Sequence, residues 1–312
     1  MKKVSYYNPK LHVGFLPVRV LSYNIIQWIE SIIPQLFEDL SNEIKYNELN
    51  PGIKYHIDKA PIDDVAYLDN NRIIHIHENF NAYLWCMAYS LIVIYQEAIH
   101  LPQLEGNYTG EIDYENKKIS DAVKLFEYAM SLRKKYNAWD YELPNPESYN
   151  PNDASFITKI NGIYVSAMTF ILCHEVGHNY YQHITYEPSD LQSAKLEELD
   201  ADNFAIDHFK SVSGSTPFST LKVGAVIGIC SLLFLSKDID GGETHPNKDI
   251  RIKNLLERFD LEDDDDSWGL ASLAISLWAR YFNIDFDLPP SVETYKEVFY
   301  HMLEEINSKF NN

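Results

Sequence analysis

Apolar residues recur at helical spacing near the start of the chain and then change to strand-like alternation. Residues 18–44 place apolar side chains at every third or fourth position, which predicts one long amphipathic helix with a bend at Pro34. Three short segments within residues 53–77 alternate instead, and Asn70-Asn71 separates the last two. The alternating segments are residues 53–57, 65–68 and 73–77. This pattern predicts a small antiparallel sheet of about three strands that includes one hairpin.

The rest of the chain returns to helical periodicity. Helices are predicted at residues 79–100, 119–136, 153–183, 191–209, 217–237, 246–259, 267–281 and 292–310. Asp153 is a candidate N-cap for the helix of residues 153–183. The pattern predicts a mainly α (α+β) fold in a single domain of residues 1–312. Its parts are an N-terminal helix and β-hairpin part (1–100), a helix and loop excursion (101–152) and a C-terminal helical part (153–312).

The charge balance is strongly acidic, with 26 Lys and Arg against 46 Asp and Glu and a formal net charge of −20. Nucleic acid is therefore not expected as a partner, because phosphate binding needs concentrated positive charge. The cysteines are odd in number and lie in apolar runs, which is typical of buried reduced thiols in the cytoplasm. They are Cys86, Cys173 and Cys230. No apolar segment follows the basic residues at the start, so we expect no signal peptide and a cytoplasmic location.

Three apolar runs raise the question of a membrane span: residues 83–95, residues 163–173, and the run from Leu221 to Leu235. Each is shorter than the roughly 20 residues that a span requires, and Lys222 interrupts the last. We therefore expect buried core helices and no transmembrane span. Membrane association of the run from Leu221 to Leu235 remains an alternative.

The pattern H-E-x-x-H occupies residues 174–178, inside the predicted helix of residues 153–183. Two helical positions four apart differ by roughly 40° around the axis and about 6 Å along it. His174 and His178 can therefore reach one metal ion, while Glu175 can contact a water molecule on that metal. The alternative is a chance pair of histidines on a polar helix face. Further ligand residues elsewhere in the chain are needed to distinguish a metal site from such a pair.

A catalytic zinc ion needs a third protein ligand and an open position for water. The metzincin arrangement puts a histidine six residues after His178, but Ile184 stands there. The next predicted helix offers Glu198 and Asp202, which are four apart and share a face. Glu198 is the candidate ligand, and Asp202 can accept a hydrogen bond from a ligand histidine and fix its tautomer. The alternative is a solvated acidic face.

A further candidate follows in Thr244-His-Pro-Asn-Lys-Asp-Ile-Arg251, where His245 precedes Pro246 at a predicted helix start. A histidine near the metal can donate a hydrogen bond to the oxyanion of a tetrahedral intermediate. This motif series resembles that of gluzincins of the HtpX and CAAX-prenyl protease type, which are membrane-embedded. The length, the hairpin before an aromatic apolar helix and the central H-E-x-x-H are most similar to the phage-exclusion Lit-type peptidases of bacteria.

The resemblance implies a zincin-like metallopeptidase core that binds one Zn²⁺ per chain. Its implied zinc ligands are His174, His178 and Glu198, with Glu175 as the base and Asp202 behind the ligands. It also implies His245 as the oxyanion donor and Arg251 as the partner of an acidic residue near the site. For Lit-type enzymes it implies cleavage of a host translation factor during phage infection, so a role in phage defence or stress response is expected.

The combined interpretation is a zinc-dependent endopeptidase that acts on a protein or peptide substrate. A substrate in extended form is expected to pair with the strand of residues 73–77. The alternative is a non-catalytic helical interaction or sensor module that retains a zincin-like metal site.

Three further residues, in the predicted sheet and beside the H-E-x-x-H motif, are given structural interpretations. His75 and His77 are expected to pack across strands rather than bind metal, and a small residue at Gly177 lets another segment approach the helix beside the metal.

Other catalytic classes lack their motifs in this chain. There is no C-x-x-C pair for a zinc deaminase, no phosphate-binding G-x-x-x-x-G-K-[ST] loop and no G-x-S-x-G elbow for a serine hydrolase.

Overall fold

Helices make up most of this computed structural model, which agrees with the predicted mainly α (α+β) class. The structure describes residues 3–32, 34, 38, 52–62, 65–110, 112–183, 190–212, 218–287 and 293–310. The helices are α1 (Ser22–Ile32), α2 (Glu78–Tyr95), α3 (Leu101–Leu104), α4 (Lys117–Leu132), α5 (Ala154–Tyr180), α6 (Leu191–Ser211), α7 (Phe218–Ser231), α8 (Lys248–Arg258), α9 (Asp266–Tyr281) and α10 (Tyr295–Phe310). The strands are β1 (Val4–Ser5), β2 (Gly52–His56), β3 (Ala66–Leu68), β4 (Ile73–His77) and β5 (Ser148–Tyr149).

Most predicted helices are confirmed, with ends that differ by a few residues. The predicted first helix begins as a 3₁₀ turn at Pro17–Leu21 and continues as α1. Of its remainder the structure describes only positions 34 and 38, so the residues on either side of Pro34, where a bend was expected, lie outside the described residues. Asp153 does precede α5, but its side chain makes no capping hydrogen bond.

The small sheet contains the three predicted strands in the order β2-β4-β3. β3 and β4 form the expected antiparallel hairpin, whereas β2 pairs with β4 in parallel. The prediction of a purely antiparallel sheet was therefore wrong for β2. β4 is the most buried strand and takes the central position with a partner on each side. β2 is not joined to β4 by a hairpin turn, so the chain connection does not impose an antiparallel direction on that pair. β1 and β5 form a separate antiparallel pair.

The long helix α5 lies at the centre of the core, and its residues are buried almost without interruption from Ile163 to Gly177. It packs chiefly against α6, α7 and α2. The contact with α7 is close because Gly224 lies there: a Cβ atom at that position would come within 2.4 Å of the Ser166 Cβ. A helix that is apolar on all sides is stable only when neighbours surround it, as they do here.

Two helical stretches are long and apolar enough to cross a membrane by length and composition, Glu78–Leu104 and Pro151–Tyr180. In both, most of the apolar window is buried inside the protein, 67% in the first and 72% in the second. The shorter apolar stretch Ser219–Leu235 covers all of α7 except its first residue, and Leu221 and Ala225 within it are fully buried. Burial in a protein core and burial in lipid select the same apolar residues, so composition alone does not separate the two.

Candidate active site

The H-E-x-x-H residues lie on the last two turns of α5, and the two histidines share one face. Nε2 of His174 is 3.1 Å from Nε2 of His178. His174 and Glu175 are each only 8% exposed, because the helix is buried up to this point. The two imidazoles therefore direct their Nε2 atoms to one point at the edge of the core.

Glu198 of α6 completes a group of three side chains that could hold a metal ion, together with His174 and His178. Its Oε2 lies 3.4 Å from His174 Nε2, and its Oε1 lies 3.3 Å from His178 Nε2. Around a tetrahedral ion with bonds of about 2.0–2.1 Å, neighbouring ligand atoms are about 3.3 Å apart. The three separations fit that geometry. Oε2 is also buried and has no hydrogen-bond partner among the described residues.

Gly177 explains how α6 comes close enough to supply Glu198. A Cβ atom at Gly177 would lie 3.0 Å from the Ala201 Cα and 3.1 Å from the Phe204 Cβ, both on α6. Such distances are tighter than ordinary van der Waals contact, so a larger side chain would hold the two helices apart. The expectation that a small residue at 177 admits a neighbouring segment is confirmed.

Asp202 lies one turn after Glu198 and is fully buried behind the two histidines. Its Oδ1 is 2.9 Å from His174 Nδ1, and both of its oxygens accept hydrogen bonds from Arg251. Burial raises the pKa of Asp202, but the Arg251 charge and the hydrogen bonds from His174 and Arg251 together outweigh it and lower that pKa to about 2. A carboxylate that accepts from Nδ1–H leaves the Nε2 lone pair of His174 free for a metal.

The two glutamates of the site respond differently to burial. Burial raises the pKa of Glu175, and this effect is larger than the opposite effect of the nearby His174 and His178. Burial also acts to raise the pKa of Glu198, but the two imidazoles beside it hold that pKa well below its usual value. Glu198 is therefore anionic, as a metal ligand must be, whereas Glu175 has the higher affinity for a proton.

His245 lies in the loop before α8, on the open side of the site. Its Nε2 is 3.4 Å from Oε1 of Glu198, and its side chain is 49% exposed. Burial and the nearby positive groups lower the pKa of His245, so its ring is neutral and carries one N–H. The structure thus brings together all seven residues that the sequence singled out, and their roles remain predictions.

A cavity of about 450 Å³ opens beside these side chains. One wall is apolar and is built by α5, by the end of α7 and by the 3₁₀ turn that follows α7. The apolar lining includes Phe170, Ile171, Ile229, Leu232 and Leu235. The sequence did not indicate this wall, because the run from Leu221 to Leu235 has the pattern of an ordinary buried helix.

The strand beside the cavity is β3, since Val65 and Ala66 belong to the cavity lining. The strand of residues 73–77 was expected to accept an extended substrate, and this expectation was wrong. That strand is β4, which already has a partner on each side and no free edge. β3 pairs only with β4 among the described residues, so its other edge has no strand partner there.

His183 is a site residue that the sequence analysis missed. Its Nδ1 lies 3.0 Å from Nδ1 of His178, because the chain turns sharply at Gln182, whose φ is +61°, after α5 ends. Burial and the neighbouring His178 lower the pKa of His183, so its neutral ring can accept a hydrogen bond. The signal was present as a histidine five residues after His178, but helical geometry alone would direct it elsewhere.

A comparison with family models finds a match to peptidase U49 over residues 74–271. The chain belongs to the peptidase U49 family. The matched segment contains every residue of the site, from His174 to Arg251, and membership makes the protein a peptidase. Searches of curated proteins and of solved structures found no match to this U49 peptidase.

Proposed function

We propose that this U49 peptidase is a zinc-dependent endopeptidase. The observation that carries the proposal is the triangle of His174, His178 and Glu198, with ligand atoms 3.1 to 3.4 Å apart. Two imidazoles and one carboxylate are a common ligand set of catalytic zinc sites, with the fourth position open to water. A magnesium or calcium site would use oxygen ligands instead.

When bound, Zn²⁺ would lower the pKa of the attacking water and polarise the carbonyl of the scissile peptide bond. Glu175 takes the proton from that water and then delivers it to the leaving amine. Its raised pKa suits the role, because a carboxylate with higher proton affinity is the stronger base. The neutral His245 donates its N–H to the oxygen that becomes negative as the water attacks.

The substrate is proposed to bind as an extended chain along β3. The free edge of β3 offers main-chain N–H and C=O groups next to the cavity, and strand addition uses such groups without regard to sequence. Selectivity then comes from the apolar wall, which favours an apolar substrate side chain next to the scissile bond. A chain that continues past the site in both directions is cut internally, as an endopeptidase requires.

The proposed setting is the bacterial cytoplasm, with cleavage of a host protein in phage defence or stress response. The support is the motif resemblance to Lit-type peptidases and the three cysteines, which are free and buried. The efficiency of plating of phages on a host that carries the wild type, compared with the Glu175→Gln variant, tests this role. Equal plating for a broad phage panel would contradict a defence function.

The peptidase itself is tested by comparing the proteomes of cells that express wild type or Glu175→Gln. We expect new protein termini only with the wild type, with an apolar residue beside each cut, and capture of the intact substrate by the variant. The variant should keep its zinc, because Glu175 is not a ligand. Its turnover should fall by about 10²–10⁴-fold. Wild-type turnover in Glu175→Gln would overturn the mechanism, and zinc binding with no new termini would favour a non-catalytic module.

A further inference from the structure

A second group of imidazoles lies on the face of the three-stranded sheet opposite Ile74 and Ile76, with His75 buried and His56 and His77 partly exposed. His56 of β2 is the register partner of His77 of β4, and their rings stack with centroids 4.4 Å apart. His75, two residues earlier on the same face, stacks on His56 at 5.0 Å. Cross-strand packing of His75 and His77 was expected, and His56 adds a third ring to it.

Hydrogen bonds fix the tautomer of His56. The carboxylate of Asp69 accepts from the backbone N–H groups of Asn71 and Ile73, and these bonds lower its pKa to about 2. The anionic Asp69 therefore accepts from Nε2–H of His75 at 3.1 Å. Nδ1 of His75 then accepts from Nε2–H of His56 at 2.8 Å. His56 is left with an unprotonated Nδ1, whose lone pair is free for a ligand bond.

His77 and Asp58 supply two more donor atoms beside His56. Nδ1 of His77 is 3.5 Å from Oδ1 of Asp58, which is long for a hydrogen bond. It is close to the separation of about 3.3 Å between two ligands of a tetrahedral ion with zinc bond lengths. The Asp58 side chain is 53% exposed and that of His77 is 23% exposed, so an ion can enter from solvent.

We propose that His56, Asp58 and His77 form a second metal site, which binds a divalent transition ion of the Zn²⁺ type. One donor atom from each residue lies within 4.8 Å of the other two. Imidazole ligands favour zinc and its neighbours over magnesium or calcium. The rings of His56 and His77 are stacked with an interplanar angle of 10°, so binding of one ion requires the partly exposed His77 and Asp58 to turn toward His56.

The position of this site suggests what an ion there would do. It would join the end of β2, the segment after it and the end of β4, so that residues 56, 58 and 77 are held together. β4 carries β3, the strand that borders the catalytic cavity. Occupancy would therefore stabilise the sheet against which the substrate is proposed to lie, without adding a group to the reaction.

The experiment counts zinc ions per chain after equilibrium dialysis against Zn²⁺ buffered in the low micromolar range. The Glu198→Ala variant removes the catalytic ligand, so it isolates the second site. We expect Glu198→Ala to bind one ion and the Glu198→Ala/Asp58→Asn double variant to bind none. Asp58 is exposed, and circular dichroism of both proteins checks that they fold. A Glu198→Ala protein that binds no zinc, or a double variant that binds as much as Glu198→Ala, would overturn the proposal.

Single variants separate this site from the catalytic one. In the wild-type background, Asp58→Asn and His77→Gln should each bind one zinc ion fewer than the wild type. Neither change alters the catalytic step, so kcat should stay within about twofold of the wild-type value. His301→Gln is the matched control, because His301 is a partly exposed histidine on α10 whose Nε2 lies 2.9 Å from the backbone carbonyl oxygen of Asp287. It should bind as much zinc as the wild type. An Asp58→Asn protein with wild-type zinc content would contradict the second site and leave the catalytic site untouched.

Discussion

Arg251 and Asp202 form a bidentate ion pair directly behind the proposed metal ligands His174 and Glu198. Nε and Nη2 of Arg251 donate to the two Asp202 oxygens at 2.8 and 2.7 Å. Asp202 also accepts from His174, so one buried carboxylate links α8 to the metal-binding face of α5. The negative charge of Asp202 therefore has two partners, Arg251 and His174. Loss of the first should affect stability, and loss of the second should affect zinc binding.

Replacement of Asp202 by Asn should damage both stability and metal binding. It leaves the Arg251 charge buried without its partner, which costs about 3–5 kcal/mol in the free energy of unfolding. It also removes the anionic acceptor of His174, which lowers zinc affinity by about 10–100-fold. Chemical denaturation and zinc titration measure the two effects.

A double variant separates the two roles of Asp202. In Asp202→Asn/Arg251→Met the buried charge is gone, so much of the lost stability should return while zinc affinity stays low. If zinc affinity returned together with stability, the carboxylate would have no role in orienting His174. The pair would then be purely structural.

Glu198→Ala should abolish binding at the catalytic site, because it removes one of three ligands. The matched control is Asp200→Ala, an exposed acid on the same helix. Competition with a chromogenic zinc chelator measures the affinity of each variant. We expect a loss of at least about 10²-fold in Glu198→Ala and no change in Asp200→Ala. Equal affinities would remove Glu198 from the ligand set.

Gly177→Ala should push α6 away from α5. The added methyl group meets the Ala201 backbone at 3.0 Å, and backbone cannot move aside as a flexible side chain can. A cost of about 1–3 kcal/mol in unfolding free energy is expected, together with weaker zinc binding.

The control for Gly177 is Gly162→Ala in the same helix, where the nearest atom to an added Cβ is the Thr220 Cγ2 at 3.7 Å. That change makes only ordinary contact and should be neutral or stabilise by up to about 1 kcal/mol. Similar unfolding free energies for the two variants would show that the close packing of α5 and α6 does not require glycine at position 177.

His183→Ala should lower zinc affinity by about 10–100-fold, because His178 loses the acceptor of its Nδ1–H. His183 is only partly buried, so the melting temperature of the zinc-free protein should change little. Isothermal titration with zinc and thermal melting without zinc distinguish the two properties. An unchanged zinc affinity would show that the His178 ring is held by packing alone.

The sequence predicted the helices well, because their apolar periodicity depends only on which face is buried. It also indicated His174, Glu175 and His178 as one face of a helix, since spacing within a helix is fixed by local geometry. Glu198 and Asp202 followed from the same rule on the next helix.

Pairing between strands was harder to predict. Alternation identified β2, β3 and β4, but not that β4 lies between the other two, so both the parallel pairing of β2 and the free edge of β3 were missed. Partner choice depends on which strand the core buries most, and that is a property of the assembled sheet.

By itself, the sequence determined the helical class, the H-E-x-x-H motif and the two carboxylates four apart that are proposed to complete the site. Only the tertiary structure decided the 3.1 to 3.4 Å triangle of ligand atoms, the Arg251–Asp202 pair and the contact of His183 with His178. The His56, Asp58 and His77 group likewise exists only in the folded chain. The physical reason is that periodicity fixes neighbours within one element, whereas distances between elements depend on packing at Gly177 and at turns such as Gln182.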